Sequence, residues 1–236
     1  MLQRLLGFET YLFWFSRVQS RILRWDRNER DVLHFISLLA VDANVLDIGA
    51  NVGIMTTPIS RHVRLGTVHA YEPIPENFRV LQRIVQRGKL DNVVLHEVAL
   101  GDSDGELEMV MPVEEHVRMQ GLSHVVGDDT SDVSGSRYRV PQRRLDDDPA
   151  VDGLRIDGIK MDVENFEHHV LRGAARLLER DRPLIYTELW DNEVRSACFA
   201  LLEPLGYRAE VLENGELVPY RPGVHKQSNF FLVPRG

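Results

Sequence analysis

The sequence predicts an α/β fold in which a doubly wound, mainly parallel sheet of seven strands is covered by helices on both faces. Short apolar runs alternate along the chain with longer segments of helical periodicity. The first run, Val45 to Ile48, leads into a turn that contains Gly49 and Gly53. Because strands that alternate with helices form parallel sheets, we expect a ligand site at the carboxyl edge of this sheet.

The predicted elements follow in the order that such a fold requires. Helices are predicted over 26–39, 57–63, 75–87, 166–180 and 192–205, and strands over 45–48, 68–71, 93–100, 158–163, 184–189, 208–212 and 229–233. Residues 106–111 alternate like an edge strand, and 121–144 lacks periodicity, which indicates a long loop. We therefore predict one domain, residues 42–236, preceded by a helical extension over 1–41.

Composition limits the class of protein. Hydrophobic residues make up 43% of the chain and charged residues 27%, as in ordinary globular proteins. The formal net charge of -8 argues against nucleic acid as a partner. The single cysteine, Cys198, cannot form an internal disulfide, which favours a reducing cytoplasm. Its apolar surroundings in sequence predict a buried filler rather than a nucleophile.

The N-terminal 25 residues carry an amphipathic pattern in which apolar residues are interrupted by arginines. Internal charges and the lack of a small-residue cleavage site argue against a signal peptide, and no segment is long and apolar enough to span a bilayer. An amphipathic helix there could pack on the core, form a homo-oligomer, or make a peripheral membrane contact. We favour packing within the protein or a dimer.

The segment D-I-G-A-N-V-G, residues 47–53, indicates a nucleoside-cofactor site. Glycine lets the backbone approach a ligand closely, and Glu72, about twenty residues on, ends the next strand where it can accept hydrogen bonds from both ribose hydroxyls. The dinucleotide pattern has a third glycine and binds a pyrophosphate, whereas this spacing suits a cofactor without phosphate, such as S-adenosylmethionine. The predicted cofactor-binding residues are Asp47, Gly49, Ala50, Asn51, Gly53, Glu72, Pro73, Glu97, Val98, Ala99 and Asp162.

Acids also end the fourth and fifth predicted strands. Asp162 either caps the next helix or takes part in chemistry, and the spacing leaves both interpretations open. Glu188 would be costly to bury without a partner, which predicts a ligand, metal or hydrogen-bond role. His168 and His169 are adjacent and face different sides of a helix, so they are not a metal-binding pair.

Several motifs follow one another from about Val45 to Val233, namely D-I-G-A-N-V-G, Y-E-P-I-P-E-N, A-L-G-D, I-K-M-D-V-E-N-F-E-H-H-V-L-R-G-A, T-E-L and S-N-F-F-L-V-P. In this order they resemble the FkbM family of S-adenosylmethionine-dependent methyltransferases. The resemblance implies the Rossmann-like fold of class I methyltransferases. Asn165 stands where the family usually has glycine, but asparagine tolerates a positive φ, so we expect the turn to be kept.

The resemblance also implies a function, namely methyl transfer from S-adenosyl-L-methionine to a hydroxyl on a sugar, glycolipid or natural-product acceptor. A hydroxyl needs a base or a metal to remove its proton. Asp162 is the candidate base, and Glu188 supports it or shares a divalent cation such as magnesium, although no metal motif is present. The alternatives are a nitrogen or carbon acceptor on RNA or protein, and a non-catalytic assembly partner with the same fold.

The predicted loop offers a further contact with the acceptor. Residues 121–138 are expected to be mobile without ligand and to close over the acceptor. His124 is a secondary candidate for contacting the acceptor or for proton transfer, although a lone loop histidine is more often solvated. The apolar residues available for such contact are Met119, Leu122, Val125 and Val126.

Overall fold

An eight-stranded sheet and a smaller five-stranded sheet form the framework of the protein. The structure is a computed structural model that describes residues 7–23, 29–114, 117–118, 123–126 and 134–235. In chain order the strands are β1 (Val45–Ile48), β2 (Val68–Tyr71), β3 (Val93–His96), β4 (Ala99–Gly101), β5 (Gly105–Glu114), β6 (Val117–Arg118), β7 (His124–Val125), β8 (Gly135–Arg144), β9 (Gly158–Met161), β10 (Leu184–Glu188), β11 (Tyr207–Glu213), β12 (Glu216–Pro219) and β13 (Asn229–Pro234).

The helices connect these strands and cover the large sheet. They are α1 (Phe8–Ile22), α2 (Arg30–Leu38), α3 (Thr56–His62), α4 (Pro75–Gly88), α5 (Glu167–Arg172), α6 (Ala175–Asp181) and α7 (Glu193–Leu202). A 3-10 turn over Leu145–Asp147 precedes β9.

The large sheet has the strand order β12-β11-β13-β10-β9-β1-β2-β3. The five strands from β10 to β3 pair in parallel, and the remaining pairs are antiparallel. The seven predicted strands are therefore present, and β12 extends the edge as an eighth strand that the sequence did not predict. The carboxyl ends of β1, β2, β9 and β10 meet at one edge, where the predicted acids lie.

The central strand β1 is buried on both faces. Leu46 and Ile48 pack into the core cluster that includes residues of α5, α6 and α7. Val45 points to the other face and packs with residues of α2 and α3. This two-sided burial explains why the strand is a continuous apolar run interrupted only by Asp47.

Three predicted elements were wrong in part. The predicted strand over 93–100 ends at His96, and β4 pairs with β8 in the small sheet instead. The predicted helix over 166–180 is two helices, because Asp146 binds at the break: its backbone N–H donates to the Gly173 carbonyl oxygen (2.8 Å), and its carboxylate accepts from the Arg176 and Leu177 backbone N–H groups at the start of α6. Residues 135–144, predicted as loop, form β8 and pair with β5 along its length.

Helix α1 packs within the protein. Leu12 and Phe13 join a core cluster with Val52 and Val80, and Ser16 Oγ donates a hydrogen bond of 2.7 Å to the Val52 carbonyl oxygen. This agrees with the favoured packing of an amphipathic helix on the domain. The division into residues 1–41 and 42–236 stays a prediction. Within the described ranges, no helix combines the length and hydropathy needed to cross a membrane.

Phe35 is predicted to be a main anchor of α2 on the sheet. Its side chain is fully buried and stacks on Tyr186 with 5.7 Å between ring centroids. Phe35→Ala should lower the free energy of unfolding by about 3–5 kcal/mol, as measured by urea denaturation. Leu38→Ala, on the exposed side of the same helix, should change it by less than about 0.5 kcal/mol. Similar losses in both variants would show that α2 is not anchored in this way.

Candidate cofactor-binding site

A cavity opens at the carboxyl ends of β1, β2 and β9, between the large sheet and the small sheet. It encloses about 650 Å³ of space, including its open mouth. Seven predicted cofactor-binding residues line this cavity, which we call the cofactor cavity. They are Gly49, Asn51, Glu72, Pro73, Val98, Ala99 and Asp162.

The two glycines of the turn after β1 are required by packing. Gly49 has a φ of 74°, and a Cβ on it would lie 1.9 Å from the backbone oxygen of Asp162. A Cβ on Gly53 would lie 2.8 Å from Leu81 Cδ1 in α4. Gly49 therefore lets the turn lie directly on the end of β9, and Gly53 lets it pack against α4. Gly53 is not part of the cofactor-cavity wall.

Glu72 holds three parts of the site together. Its Oε2 accepts a hydrogen bond from the Asn51 backbone N–H (2.9 Å), and its Oε1 accepts from the Ile74 backbone N–H (3.0 Å) and Asn77 Nδ2 (3.2 Å). Burial raises the pKa of this carboxyl to about 7 against the lowering effect of these bonds. A carboxylate has about four acceptor positions, so about one remains for a ligand hydroxyl.

Asn77 is a residue of this site that the sequence reasoning missed. Its side chain is 1% exposed and lines the cofactor cavity. Because Nδ2 donates to the Glu72 carboxylate, Oδ1 is the free end of the amide, and it has no hydrogen-bond partner among the described residues. The available signal was its position in Y-E-P-I-P-E-N, five residues after Glu72.

Asp47 lies behind the turn rather than in the cavity wall. It is fully buried and accepts a 2.6 Å hydrogen bond from Thr56 Oγ1. Lys160 Nζ lies 3.4 Å from Asp47 Oδ1 and donates a 3.0 Å hydrogen bond to the Gly49 carbonyl oxygen. Burial lowers the pKa of Lys160, but Asp47 and Asp162 more than offset this and hold it above its usual value.

Asp162 ends β9 and leaves 48% of its side chain exposed. The alternative role as a helix cap is wrong, because α5 has its N-cap at Phe166 and no side-chain capping bond. Glu164 and Asn165 both have positive φ, at 53° and 70°, so the turn expected at Asn165 is kept. Burial and the nearby carboxylates, Asp162 first, raise the pKa of Glu164 to about 8.

Glu188 ends β10 and has the hydrogen-bond partner that the sequence required, since its Oε1 accepts from Ser228 Oγ at 2.9 Å. It lines a neighbouring cavity together with Lys160 and Asp162. Glu188 and Asp162 are thus brought to one edge of the sheet. Ala50 lines a third cavity that also includes Asp162.

Glu97 and His124 are two further predicted site residues outside the cofactor-cavity wall. Glu97 is exposed and outside its lining. His124 pairs with Val110 in the small sheet, while its neighbours Ser123 and Val125 line the cofactor cavity. Met119 and Leu122 lie outside the described residues, as does half of the predicted lid over 121–138, so its closure stays a prediction.

Other candidate groups have structural roles. His169 Nδ1 lies 3.1 Å from Asp102 Oδ2, and its ring stacks on Phe166. Cys198 is fully buried, as predicted, and burial raises the pKa of its thiol to about 12. In the part of the chain that the structure describes, no three His, Cys, Asp or Glu side chains form a group that could hold a metal ion. The divalent cation considered from the sequence therefore has no supporting site among these described residues.

Comparison with known proteins agrees with this arrangement. The family model described as the methyltransferase FkbM domain matches residues 47–209, from the end of β1 into β11. The chain belongs to the FkbM methyltransferase family. The matched range includes the glycine turn, Glu72, Asn77 and Asp162.

Individual relatives are distant. The chain is 27% identical over 149 residues to Methyltransferase 1 of Beauveria bassiana, covering 56% of this chain and 58% of that protein. It is 27% identical over 202 residues to Methyltransferase sdnD of Sordaria araneosa, covering 75% of this chain and 78% of that protein. The chain thus spans little more than half the length of the first of these relatives.

A solved structure shows the same fold. The methyltransferase FkbM from Methylobacillus flagellatus KT superposes with a TM-score of 0.54 at 17% sequence identity, covering 83% of this chain and 45% of that chain. The α/β fold is therefore the Rossmann-like fold of class I methyltransferases, as predicted.

The close contact at Gly49 predicts a large effect of a single methyl group. Gly49→Ala should destabilise the fold through the positive φ and through overlap with the Asp162 backbone. Gly153 has a similar φ of 71°, but a Cβ added there would have no atom within 4 Å. Gly153→Ala should therefore cost only about 1–2 kcal/mol, and Gly49→Ala about 1–3 kcal/mol more, by urea denaturation. Equal costs would contradict the close packing of the turn on β9.

Proposed function

We propose that the protein transfers a methyl group from S-adenosyl-L-methionine to a hydroxyl oxygen of a small-molecule or glycosidic acceptor. The observation that carries this proposal is the cofactor cavity, where the glycine turn and Glu72 meet next to Asp162. Membership of the FkbM methyltransferase family supports the transfer of a methyl group. A carboxylate at the cavity supports an acceptor that must lose a proton.

The lining suits this cofactor in charge and polarity. Among the described lining residues there is no lysine or arginine, which fits a nucleoside without phosphate groups. Glu72 Oε2 and Asn77 Oδ1 are the acceptors that would share the two ribose hydroxyls. Val98 and Ala99 offer apolar surface and backbone groups for the adenine ring, and the turn at Gly49 and Asn51 would hold the methionine end.

S-adenosyl-L-methionine supplies, when bound, a methyl group already activated on a sulfonium. The protein therefore has to align the acceptor and remove its proton. Asp162 is half exposed at the border of adjacent cavities, so its carboxylate can reach an acceptor hydroxyl. Lys160 Nζ lies 4.0 Å from Asp162 Oδ2.

Glu72→Ala should weaken the binding of S-adenosylhomocysteine by about 1.5–3 kcal/mol, measured by calorimetry. The variant should also lose some stability, because three protein donors lose their acceptor. Glu97→Ala removes an exposed acid outside the cavity wall and should leave the dissociation constant unchanged. An unchanged constant in Glu72→Ala would mean that the ribose is held elsewhere.

Asp162→Asn should lower turnover by about 10²–10⁴-fold while leaving S-adenosylhomocysteine affinity nearly unchanged, because the amide keeps the shape and loses the base. Transfer of a labelled methyl group into an extract of the source cells would identify the acceptor for this assay. Asp91→Asn, an exposed acid away from the site, is the matched control. Near-normal turnover of Asp162→Asn would rule out Asp162 as the base.

A further inference from the structure

We propose that the acceptor binds on the far side of Asp162 from the cofactor cavity, in a site that selects neutral or cationic polyols over anionic ones. This site, the acceptor cavity, is lined by residues that include Glu29, Met55, Lys160, Asp162, Glu188 and Asn229. The assignment rests on the proposed function and adds to it a location and a charge preference.

The position of the acceptor cavity follows from shared walls. It lies at the ends of β9 and β10, beside β13 and the start of α2, and encloses about 680 Å³ of space including its mouth. Asp162 lines both this cavity and the cofactor cavity. A hydroxyl bound beside Asp162 in the acceptor cavity would therefore contact the candidate base and lie next to the cofactor cavity.

The polar wall of the acceptor cavity is rich in hydrogen-bond acceptors. As carboxylates, Asp162 and Glu188 can only accept hydrogen bonds. Two of the neighbouring donors already bind within the protein: Lys160 Nζ faces Gly49 O and Asp47, and Ser228 Oγ donates to Glu188. The Tyr186 hydroxyl is a further donor in the lining. A ligand that satisfies both carboxylates has to bring donors of its own, as hydroxyl or ammonium groups do.

The Asn229 side chain is also already bound within the protein, through a hydrogen bond with Asp31 in α2.

The charges around the acceptor cavity also disfavour an anionic ligand. Among the described side chains, Lys160 already faces Asp47, so the carboxylates of Asp162 and Glu188 leave this wall negative, and an anionic group on the acceptor would meet repulsion.

An apolar wall completes the recognition surface. Val32, Met55 and Met161 also line the acceptor cavity, and Val32 and Met161 are buried. Met55 is the partly exposed residue of the three, so its side chain is the apolar surface that a saturated ring would contact, while the acids suit the hydroxyls at the ring edge. The combination fits a ring that carries several hydroxyls and is neutral or bears an ammonium.

The small sheet lies on the other side of Asp162. Ser123 and Val125 line the cofactor cavity and not the acceptor cavity. Glu29 and Val32, in contrast, come from the predicted N-terminal extension. The acceptor is thus expected to enter past the N-terminal helices, and not beneath the segment that carries His124.

The charge preference is tested with three sugars that have the same ring skeleton and differ in charge. They are added to the full chain saturated with S-adenosylhomocysteine. Glucose is neutral, glucosamine is cationic and glucuronate is anionic, and each is titrated while amide signals are followed by nuclear magnetic resonance. We expect shifts at the Asn229 side-chain amide and the Ser228 backbone, with glucosamine binding roughly tenfold or more tightly than glucuronate. Glucose should fall between them.

Two variants separate this site from a general charge effect. Glu188→Gln should reduce the preference for glucosamine over glucuronate. Glu179→Gln makes the same change at an exposed position in α6 and should leave the preference for glucosamine unchanged. Equal effects of the two variants would show that the preference comes from the overall charge of the protein and would overturn the proposal.

The remaining outcomes are also decisive. Shifts confined to residues 123–126, equal binding of the three sugars, or no shift at Asn229 with any of them would overturn the acceptor cavity while leaving the proposed function intact. Failure of S-adenosylhomocysteine itself to bind would instead overturn the proposed function.

Discussion

The buried ion pair of Lys160 with Asp47 is the interaction on which the site depends. The Lys160 ammonium joins the end of β9 to the end of β1 and also donates a hydrogen bond to the Gly49 carbonyl oxygen. Removing either partner would leave an uncompensated charge in the interior, which is strongly destabilising. The pair therefore fixes the glycine turn and, through the contact of Gly49 with the Asp162 backbone, the position of the candidate base.

Much of the central sheet could be predicted from the sequence because its strands are buried on both faces. β1 and β2 have the predicted bounds, since short runs that are buried on both faces stand out from the turns that flank them. The glycine turn and Glu72 were predictable because the sequence places two glycines between two acids at the ends of strands, which is the arrangement of a nucleoside site at the carboxyl edge of a sheet. The main-sheet strands and the cofactor cavity thus follow from local patterns.

The rest depends on contacts between distant segments. β8 has a half-exposed face on which Arg137 pairs with Glu108 in β5, so its polar residues resemble a loop until β5 is beside it. Asp47 and Glu72 are both strand-end acids, yet one faces Lys160 and the other the cavity. Nothing in the local sequence separates them, because the partner Lys160 lies more than a hundred positions along the chain.

The packing of the N-terminal helices has a consequence for how such a protein can diversify. Glu29, Val32 and Asn229 border the acceptor cavity but lie outside the range 47–209 that the family model covers. The cofactor frame, from the glycine turn through Asn77, lies within that range. Substitutions in the terminal segments could therefore change the preferred acceptor while the cofactor-binding residues stay unchanged. Acceptor specificity and catalysis could then evolve separately.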